Sequence, residues 1–595
     1  MSYQKKLRNI AIIAHVDHGK TTLVDQLFKQ SGLFRDNQTV ETRLMDSMDL
    51  EKERGITIMS KNCSCKYQDY LINIIDTPGH ADFGGEVERV LNMADGVLFL
   101  VDAVDGPMPQ SYFVLKKAVA RSLPVIVIVN KIDRPHARCD WVVDQVFDLL
   151  VHLNAPDHIL DFPIIYASAK NGHASTDYHQ ESNNLDIVFK QIIKYMPAPK
   201  GDVHNPLQLL ISSLTYSPFL GRLAIGKITS GKLKLNQNIV LATEKEVLST
   251  ARITKLYKYE GNKQVETKQA FCGDIIAVAG LEKVEVGQTI TDPDQPLPLP
   301  SIQVDPPTIS ITFLPNDSPF AGTEGRFVTS RQLKERICRE ILSDVALEIE
   351  TFPGDKGFKV SGRGELHLSI FIEKMRREGY EFQVSRPMVI LKEENGKTLE
   401  PYEDLTIDVP EEHMGKIIES FGPRKGIMIS MHQENGSVRL KFKVPTRGLL
   451  GYQAQFMTKT KGMGVMNYVF LEYAPYAGDI KMRKNGVLIS KDACTTIAYA
   501  LDNLQDRGKL FLGAGEKVYA GQIIGEHCRE DDLVVNPGKG KKLTNMRASG
   551  SDDSVVLTPY TKMSLEECLA YINDNEVVEI TPAAIRLRKL KYRTD

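Results

Sequence analysis

The eight cysteines of this 595-residue chain contain no Cys-x-x-Cys pair, and only Cys63-Ser64-Cys65 is close-set. The pattern reads as buried reduced thiols of a cytosolic protein, not as a paired-cysteine site. Long apolar runs are missing too. Those at residues 97–101 and 125–129 fall far short of the length that crosses a bilayer, so no membrane association is expected. The run at residues 10–14 is too short for a signal peptide and leads into His15 and Asp17. An excess of one charge is also lacking. The formal net charge is -2, so contact with nucleic acid has to come from local patches. What remains is ordinary globular material, 42% hydrophobic and 25% charged. At roughly 150 residues per domain the length suggests about four domains.

The most informative stretch is Ala14-His15-Val16-Asp17-His18-Gly19-Lys20-Thr21. An apolar run precedes it, and a helical pattern with Leu23, Leu27 and Phe28 on one side follows. Strand, tight loop, Gly-Lys-Thr and helix is a phosphate-cradling order. Backbone N–H groups of the loop and the helix start point at anionic oxygens. Lys20 is expected to reach the outer phosphates and the Thr21 hydroxyl to hold Mg2+. Asp17, His18, Gly19 and Thr22 complete the candidate phosphate-binding set. One glycine is absent, since the usual motif opens with Gly and this one with Ala14.

Further buried strands are expected at residues 72–75, 97–101, 125–129 and 164–166. The first ends in Asp76-Thr77-Pro78-Gly79-His80, where Asp76 is placed to anchor the metal through water and Gly79 to approach a γ-phosphate. The third ends in Asn130-Lys131-Ile132-Asp133. The Asp133 carboxylate can accept two hydrogen bonds from the ring N–H and exocyclic amine of guanine, and adenine offers no such pair. Discrimination of roughly 10²–10⁴ follows from two charged hydrogen bonds. The fourth ends in Ser168-Ala169-Lys170, which buttresses the base from the other side. All these loops are expected on one edge of a parallel sheet, where ligands bind. The charged segment 51–58 reads as a solvated loop except at Thr57, whose hydroxyl would complete the magnesium shell only while the γ-phosphate is present.

Together these motifs resemble the translational GTPases, the ribosome-dependent elongation and initiation factors. Several members share the Ala14 departure. The resemblance implies GTP/GDP and Mg2+ as cofactors. It makes His80 the catalytic residue that orients the attacking water. Val16 and Ile56 match the apolar gate that holds this histidine back. From the residues alone, His80 is only a loop histidine. His15, Asp17 and His18 lack the further ligands of a metal cluster. No arginine stands out as a finger supplied in cis, so slow intrinsic hydrolysis accelerated by a partner is expected.

The expected fold class is a multidomain α/β and β chain. It has a P-loop GTPase domain (1–200), a β-barrel (201–303), two ferredoxin-like α+β domains (304–387 and 388–480) and a distinct C-terminal domain (481–595). Residues 196–201 and 292–307 supply the first two linkers. Even spacing of short strands and Gly turns suggests the barrel. A β-α-β-β-α-β order suggests the ferredoxin-like units. These resemble the third and fifth domains of elongation factor G, and the fourth has no room between Val384 and Met388. Arg424 and Lys425 mark a turn that either touches RNA or is merely solvated.

Residues 533–551 hold no acidic side chain and carry Lys539, Lys541, Lys542 and Arg547 among Gly, Asn and Thr. The stretch reads as a long basic loop, either a bare surface loop or a finger on RNA phosphates with Asn545 at a base edge or ribose. Arg586, Arg588, Lys589, Lys591 and Arg593 form a second basic cluster, read as an RNA contact or a solvated tail. The run Lys541-Lys542-Leu543-Thr544-Asn545-Met546-Arg547-Ala548-Ser549 resembles the C-terminal loop of the BipA/TypA family of ribosome-associated GTPases. That resemblance implies a cytoplasmic, ribosome-stimulated GTPase at the ribosomal factor site. The partners implied are the 70S ribosome or a 50S precursor, rRNA and the A-site tRNA. Roles in large-subunit assembly and in growth under cold or other stress are implied as well. A monomer is expected. The alternatives are a LepA-like back-translocating factor and a GTP-dependent assembly scaffold whose turnover is incidental.

Overall fold

A computed structural model describes residues 3–15, 17–31, 49–54, 57–78, 81–180, 182–217, 219–281, 284–302, 306–344, 346–434, 436–480, 483–540 and 556–591. They form two compact units, residues 1–306 with 342–346 and residues 307–341 with 347–595.

In the first unit, β1 (Leu7–Ala14), β2 (Lys61–Tyr67), β3 (Tyr70–Asp76), β4 (Gly96–Asp102), β5 (Val125–Asn130), β6 (Ile164–Ser168) and β7 (His173–Ser175) make one sheet in the order β2-β3-β1-β4-β5-β6-β7. The five central strands are parallel, and β2 and β7 close the edges antiparallel. Every residue of β1, β4 and β5 is buried. Burial on both faces is why these strands read as unbroken apolar runs and not as alternations. Helix α1 (Lys20–Gln30) lays Leu23, Val24, Leu27 and Phe28 on the sheet, none more than 2% exposed. Each contributes roughly 1.5–3 kcal/mol by leaving water. Because the central strands are parallel, the turns after β1, β3, β5 and β6 all emerge at one edge.

The second part of this unit is antiparallel β. Eight strands follow one another from Val247–Arg252 at one end to Lys263–Glu266 at the other, with a separate ribbon of Lys232–Lys234 and Gln269–Phe271. Among the described residues the two end strands pair with their inner neighbours, Asn238–Ala242 and Lys255–Glu260, and no pairing between the two ends is formed. Leu209, Ile211, Ile239, Leu241, Ile276 and Val278 form its core. Strand β2 is clipped to the hairpin turn of this β region. Ser64 and Gly261 exchange two backbone hydrogen bonds of 2.9 Å, and the Ser64 hydroxyl donates to Tyr259 O over 2.5 Å.

The second unit opens with strand Ile309–Pro315, helix Ser330–Ser343, strands Glu348–Thr351 and Phe358–Gly362, helix Glu365–Arg377 and strand Phe382–Val384. The first strand lies between the third and the fourth, and all neighbours are antiparallel. The same β-α-β-β-α-β order recurs in strand Lys397–Pro410, helix Glu411–Phe421, strands Ile427–Glu434 and Ser437–Pro445, helix Tyr452–Lys459 and strand Val465–Pro475.

The C-terminal segment is less separate than its sequence suggests. Strand Glu576–Ile580 pairs antiparallel with Phe382–Val384, and the sheet continues through Ile585–Lys589, Gln522–His527, Val487–Ser490 and Leu533–Val535. Covering the edge at Phe382–Val384 removes a row of unpaired backbone groups, and both segments share one apolar core. Three residues of the basic cluster near the end are held in ion pairs, while Lys591 is exposed and Arg593 lies outside the described residues. Arg586 pairs with Glu324 over 2.6 Å, Arg588 with Asp317 over 2.5 Å, and Lys589 with Asp532 and Glu576 over 2.6 and 2.7 Å. Charges committed to partners inside a folded sheet are not free for RNA phosphates. Arg424 is likewise held, donating to Gly448 O over 2.7 Å with its guanidinium 4.5 Å from the Tyr452 ring centre.

Candidate nucleotide-binding site

The loop after β1 is shaped by two left-handed residues, Asp17 at φ 65° and Gly19 at φ 93°. A Cβ on Gly19 would stand 2.5 Å from Asn130 Nδ2, so both conformation and space require glycine there. No side chain caps α1 at Gly19, which leaves the first N–H groups of the helix for an anion. Thr21 is half-buried and Thr22 exposed in its first turn.

Three polar side chains meet beyond the loop. Lys20 Nζ is 2.8 Å from Asp76 Oδ1 and also donates to Thr77 O. Thr57 donates to Asp76 Oδ2 over 3.4 Å from a buried position. Thr77 in turn donates to Ile12 O over 2.6 Å, tying the end of β3 to β1. Carboxylate and hydroxyl oxygens of this kind suit a hard cation such as Mg2+, and Lys20 suits phosphate.

The other end of the site is built around Asn130. Its amide nitrogen donates to His18 O over 2.8 Å, and its oxygen accepts Ala169 N–H over 2.9 Å. Asp133 Oδ1 accepts the Ser168 hydroxyl over 2.6 Å. Lys170 is exposed. Lys131, at φ 63°, pairs with Asp102 over 2.6 Å, and Arg134 stands 3.3 Å from the same oxygen. Burial raises the Asp102 carboxyl. Hydrogen bonds from Lys131 and the Val104 N–H, with the charges of Lys131 and Arg134, outweigh burial and hold it below the usual carboxylate range.

His18 lies beneath the loop at 2% exposure, its Nδ1 3.4 Å from Leu100 O. Burial pushes its imidazole down to about 4, against the opposing pull of Asp102. It therefore serves the site through its backbone and stays neutral at pH 7. The His15 ring lies 5.1 Å from it. Among the described residues no group of three or more His, Cys, Asp or Glu is arranged around a metal position.

Two residues of this region were not singled out from sequence. Asp102 ends the apolar strand β4 at the edge where the other candidate residues lie, a position that marks it in retrospect. Glu51 sits in the segment expected to be solvated, yet it is fully buried. It accepts N–H groups from Ile58 over 3.0 Å and Met59 over 3.3 Å and pairs with Lys61 over 2.5 Å. Those partners compensate its burial, which a charged run in the sequence does not reveal. Val16, Ile56, Gly79, His80, Lys541, Lys542, Asn545 and Arg547 lie outside the described residues. Lys539, just before the last four, is exposed.

Known proteins align with this architecture. The family model for the elongation factor Tu GTP binding domain matches residues 5–198, and that for elongation factor Tu domain 2 matches residues 221–291. The elongation factor G C-terminus matches residues 397–484, and the TypA/BipA C-terminal domain matches residues 485–594. The large ribosomal subunit assembly factor BipA of Salmonella typhimurium is 52% identical over 587 residues, 98% of this chain and 97% of that protein. BipA of Escherichia coli K12 shows the same identity and coverage, and that of Bacillus subtilis is 49% identical over 591 residues, 99% and 97% of the two chains. A crystal structure from Thermus thermophilus superposes with a TM-score of 0.56 at 17% identity, covering 80% of this chain and 98% of that one, a likeness of fold alone. With a GTP-binding domain at one end, a TypA/BipA C-terminal domain at the other and half of all residues shared along nearly the full length, the chain belongs to the BipA/TypA family of translational GTPases.

Proposed function

We propose that the chain is a ribosome-dependent GTP hydrolase acting as a switch at the ribosomal factor site, where it supports assembly of the large subunit and translation under cold or other stress. The observation that carries this reading is the meeting of Lys20 and Thr57 on Asp76, at the opposite end of the site from Asn130 and Asp133. One end suits phosphates and a cation, the other a guanine. The printed name of the relatives, large ribosomal subunit assembly factor, supports the partner.

In this reading Asp17, His18, Gly19, Lys20, Thr21 and Thr22 bind the phosphates, and Gly79 contacts the γ-phosphate. Asn130, Lys131, Asp133, Ser168, Ala169 and Lys170 hold the base. Thr21 and Thr57 would hold Mg2+ directly and Asp76 through water. Bound there, the ion neutralises charge on the β- and γ-phosphate oxygens. Thr57 then ties its segment to the triphosphate, and loss of the γ-phosphate releases it. His80 orients the attacking water, gated by Val16 and Ile56, once a ribosomal particle has bound. The exposed Lys539 and the loop with Lys541, Lys542, Asn545 and Arg547 contact RNA near the A-site tRNA end. The working division is 1–200, 201–303, 304–387, 388–480 and 481–595, with ferredoxin-like topology supported for the third and fourth segments by their repeated strand and helix order. The site of action is cytoplasmic and ribosome-associated.

The match of residues 485–594 to the TypA/BipA C-terminal domain weighs against a LepA-like factor. The scaffold alternative is separated by complementation. In a strain lacking the gene, H80A is expected to bind GTP yet fail to restore the normal ratio of mature large subunits on sucrose gradients. Full rescue by H80A would favour the scaffold.

A further inference from the structure

Thr57 meets Asp76 from the segment that joins helix Asp49–Arg54 to β2, and that segment is fastened from behind by one buried carboxylate. Glu51 is fully buried. Its Oε1 accepts the N–H groups of Ile58 and Met59, the two residues directly after Thr57, over 3.0 and 3.3 Å. Its Oε2 pairs with Lys61 Nζ over 2.5 Å. A side chain that takes two consecutive backbone donors fixes the direction in which the preceding residue leaves the chain. Here the preceding residue is Thr57, whose hydroxyl lies 3.4 Å from Asp76 Oδ2.

A second fastening lies just beyond. The Ser60 hydroxyl donates to Glu86 Oε2 over 3.1 Å. Glu86 also pairs with Arg89, which is fully buried and donates through Nε to Gly85 O over 3.1 Å. The stretch between Thr57 and β2 is thus held at Ile58 and Met59 by Glu51 and at Ser60 by helix Gly84–Leu91. A buried carboxylate is costly to keep unless it is fully used. Glu51 spends one oxygen on the backbone directly after Thr57, a place from which it can set the position of Thr57.

We infer that Glu51 is a positioning residue that presets Thr57 for the triphosphate state, and so sets how strongly the protein prefers GTP to GDP. The inference rests on the reading of Thr57 as a residue that acts only with the γ-phosphate and Mg2+. A residue needed only for folding would weaken both nucleotides alike. A residue that places Thr57 weakens the triphosphate alone, because in that reading only the triphosphate state uses the Thr57 hydroxyl.

The test is equilibrium binding of fluorescent GDP and of a fluorescent GTP analogue with an imido β–γ bridge, with Mg2+, to the full chain. E51A is expected to raise the Kd of the triphosphate analogue by about tenfold and leave that of GDP within about twofold. E51Q keeps an oxygen for the Ile58 and Met59 N–H groups and is expected to stay within about threefold of the parent for both. T57A is expected to raise the analogue Kd as E51A does, and the double variant E51A/T57A to be no worse than T57A alone, since both remove one contact. Equal weakening of GDP and the analogue by E51A, or multiplying effects in the double variant, overturns the inference. A T57A protein with unchanged analogue affinity overturns the magnesium reading beneath it. A normal T57A response beside a silent E51A overturns the role of Glu51 alone.

Discussion

Asn130 donates to His18 O over 2.8 Å and accepts from Ala169 N–H over 2.9 Å, so one amide joins the loop after β1 to the loop after β6. Both bonds are buried, and water cannot replace them. N130A is expected to remove about 2–4 kcal/mol of nucleotide binding, summing two buried hydrogen bonds and the groups left unpaired. Titration with fluorescent GDP checks this, and a loss below tenfold would contradict it.

Gly19 meets the same amide from the other side. G19A places a methyl 2.5 Å from Asn130 Nδ2 at φ 93°. The left-handed conformation alone costs roughly 1–2 kcal/mol for an L residue, before the contact is relieved. The expected outcome is loss of nucleotide binding beyond that of N130A, with melting of the C-terminal unit unchanged by calorimetry.

Asp133 is expected to carry the choice of base. D133N keeps an oxygen for the Ser168 hydroxyl, whose bond to Asp133 is 2.6 Å. It loses the charged acceptor for the two guanine donors. GTP affinity should fall roughly 10²–10⁴-fold. Competition between GTP and ATP measures it, and unchanged selectivity would place guanine recognition elsewhere.

His18 makes the nucleotide domain acid-sensitive. Its imidazole is pushed down to about 4 in the fold, below the 6.5 of an unperturbed histidine. The unfolded chain therefore takes up the proton first. Stability from this group is full above about pH 6.5, falls as pH drops toward 4, and is reduced by about 3 kcal/mol below that. Asp102, held below the usual carboxylate range, loses its own contribution only at lower pH still. Trp141 is the single tryptophan of the chain and lies in this domain, so urea unfolding followed by its fluorescence reads the effect. H18Q should flatten the dependence between pH 6.5 and 4.

Glu579 tests the shared sheet. It is fully buried, accepts Asn316 over 3.0 Å, Ser318 over 2.7 Å and Tyr519 over 2.5 Å, and stands 3.6 Å from Arg586. E579A leaves the Ser318 and Tyr519 hydroxyls without this acceptor, while Asn316 keeps Glu381 and Arg586 keeps Glu324, and should cost about 2–6 kcal/mol for the two buried groups. The calorimetric transition of residues 307–595 should fall, while nucleotide binding is unchanged. A chain ending at residue 480 should aggregate, because Phe382–Val384 becomes an open edge.

The GTP-binding domain was legible in sequence because the residues of its candidate site lie in short contiguous runs. Asp76 and Asn130 end, and Lys20 and Asp133 come shortly after, a buried strand whose apolar run is plain to see. Long-range pairing left no such mark. Nothing local to Phe382–Val384 announces Glu576–Ile580 as its neighbour, and nothing near Arg588 announces Asp317. Glu51 shows the limit most clearly. In a run of Glu, Lys and Arg, a solvated carboxylate and a buried one with partners look the same, since the partners include two backbone N–H groups and a lysine brought in by the fold.

The central claim is that a ribosomal particle triggers hydrolysis through His80. The direct measurement is the rate of GTP turnover by the wild type and by H80A, alone and with 70S ribosomes or 50S subunits. The account predicts slow turnover alone, a rise of about 10³-fold or more with ribosomes, as partner-triggered GTPases show, and loss of that rise in H80A with GTP binding intact. No stimulation of the wild type, or a full stimulated rate in H80A, would contradict it.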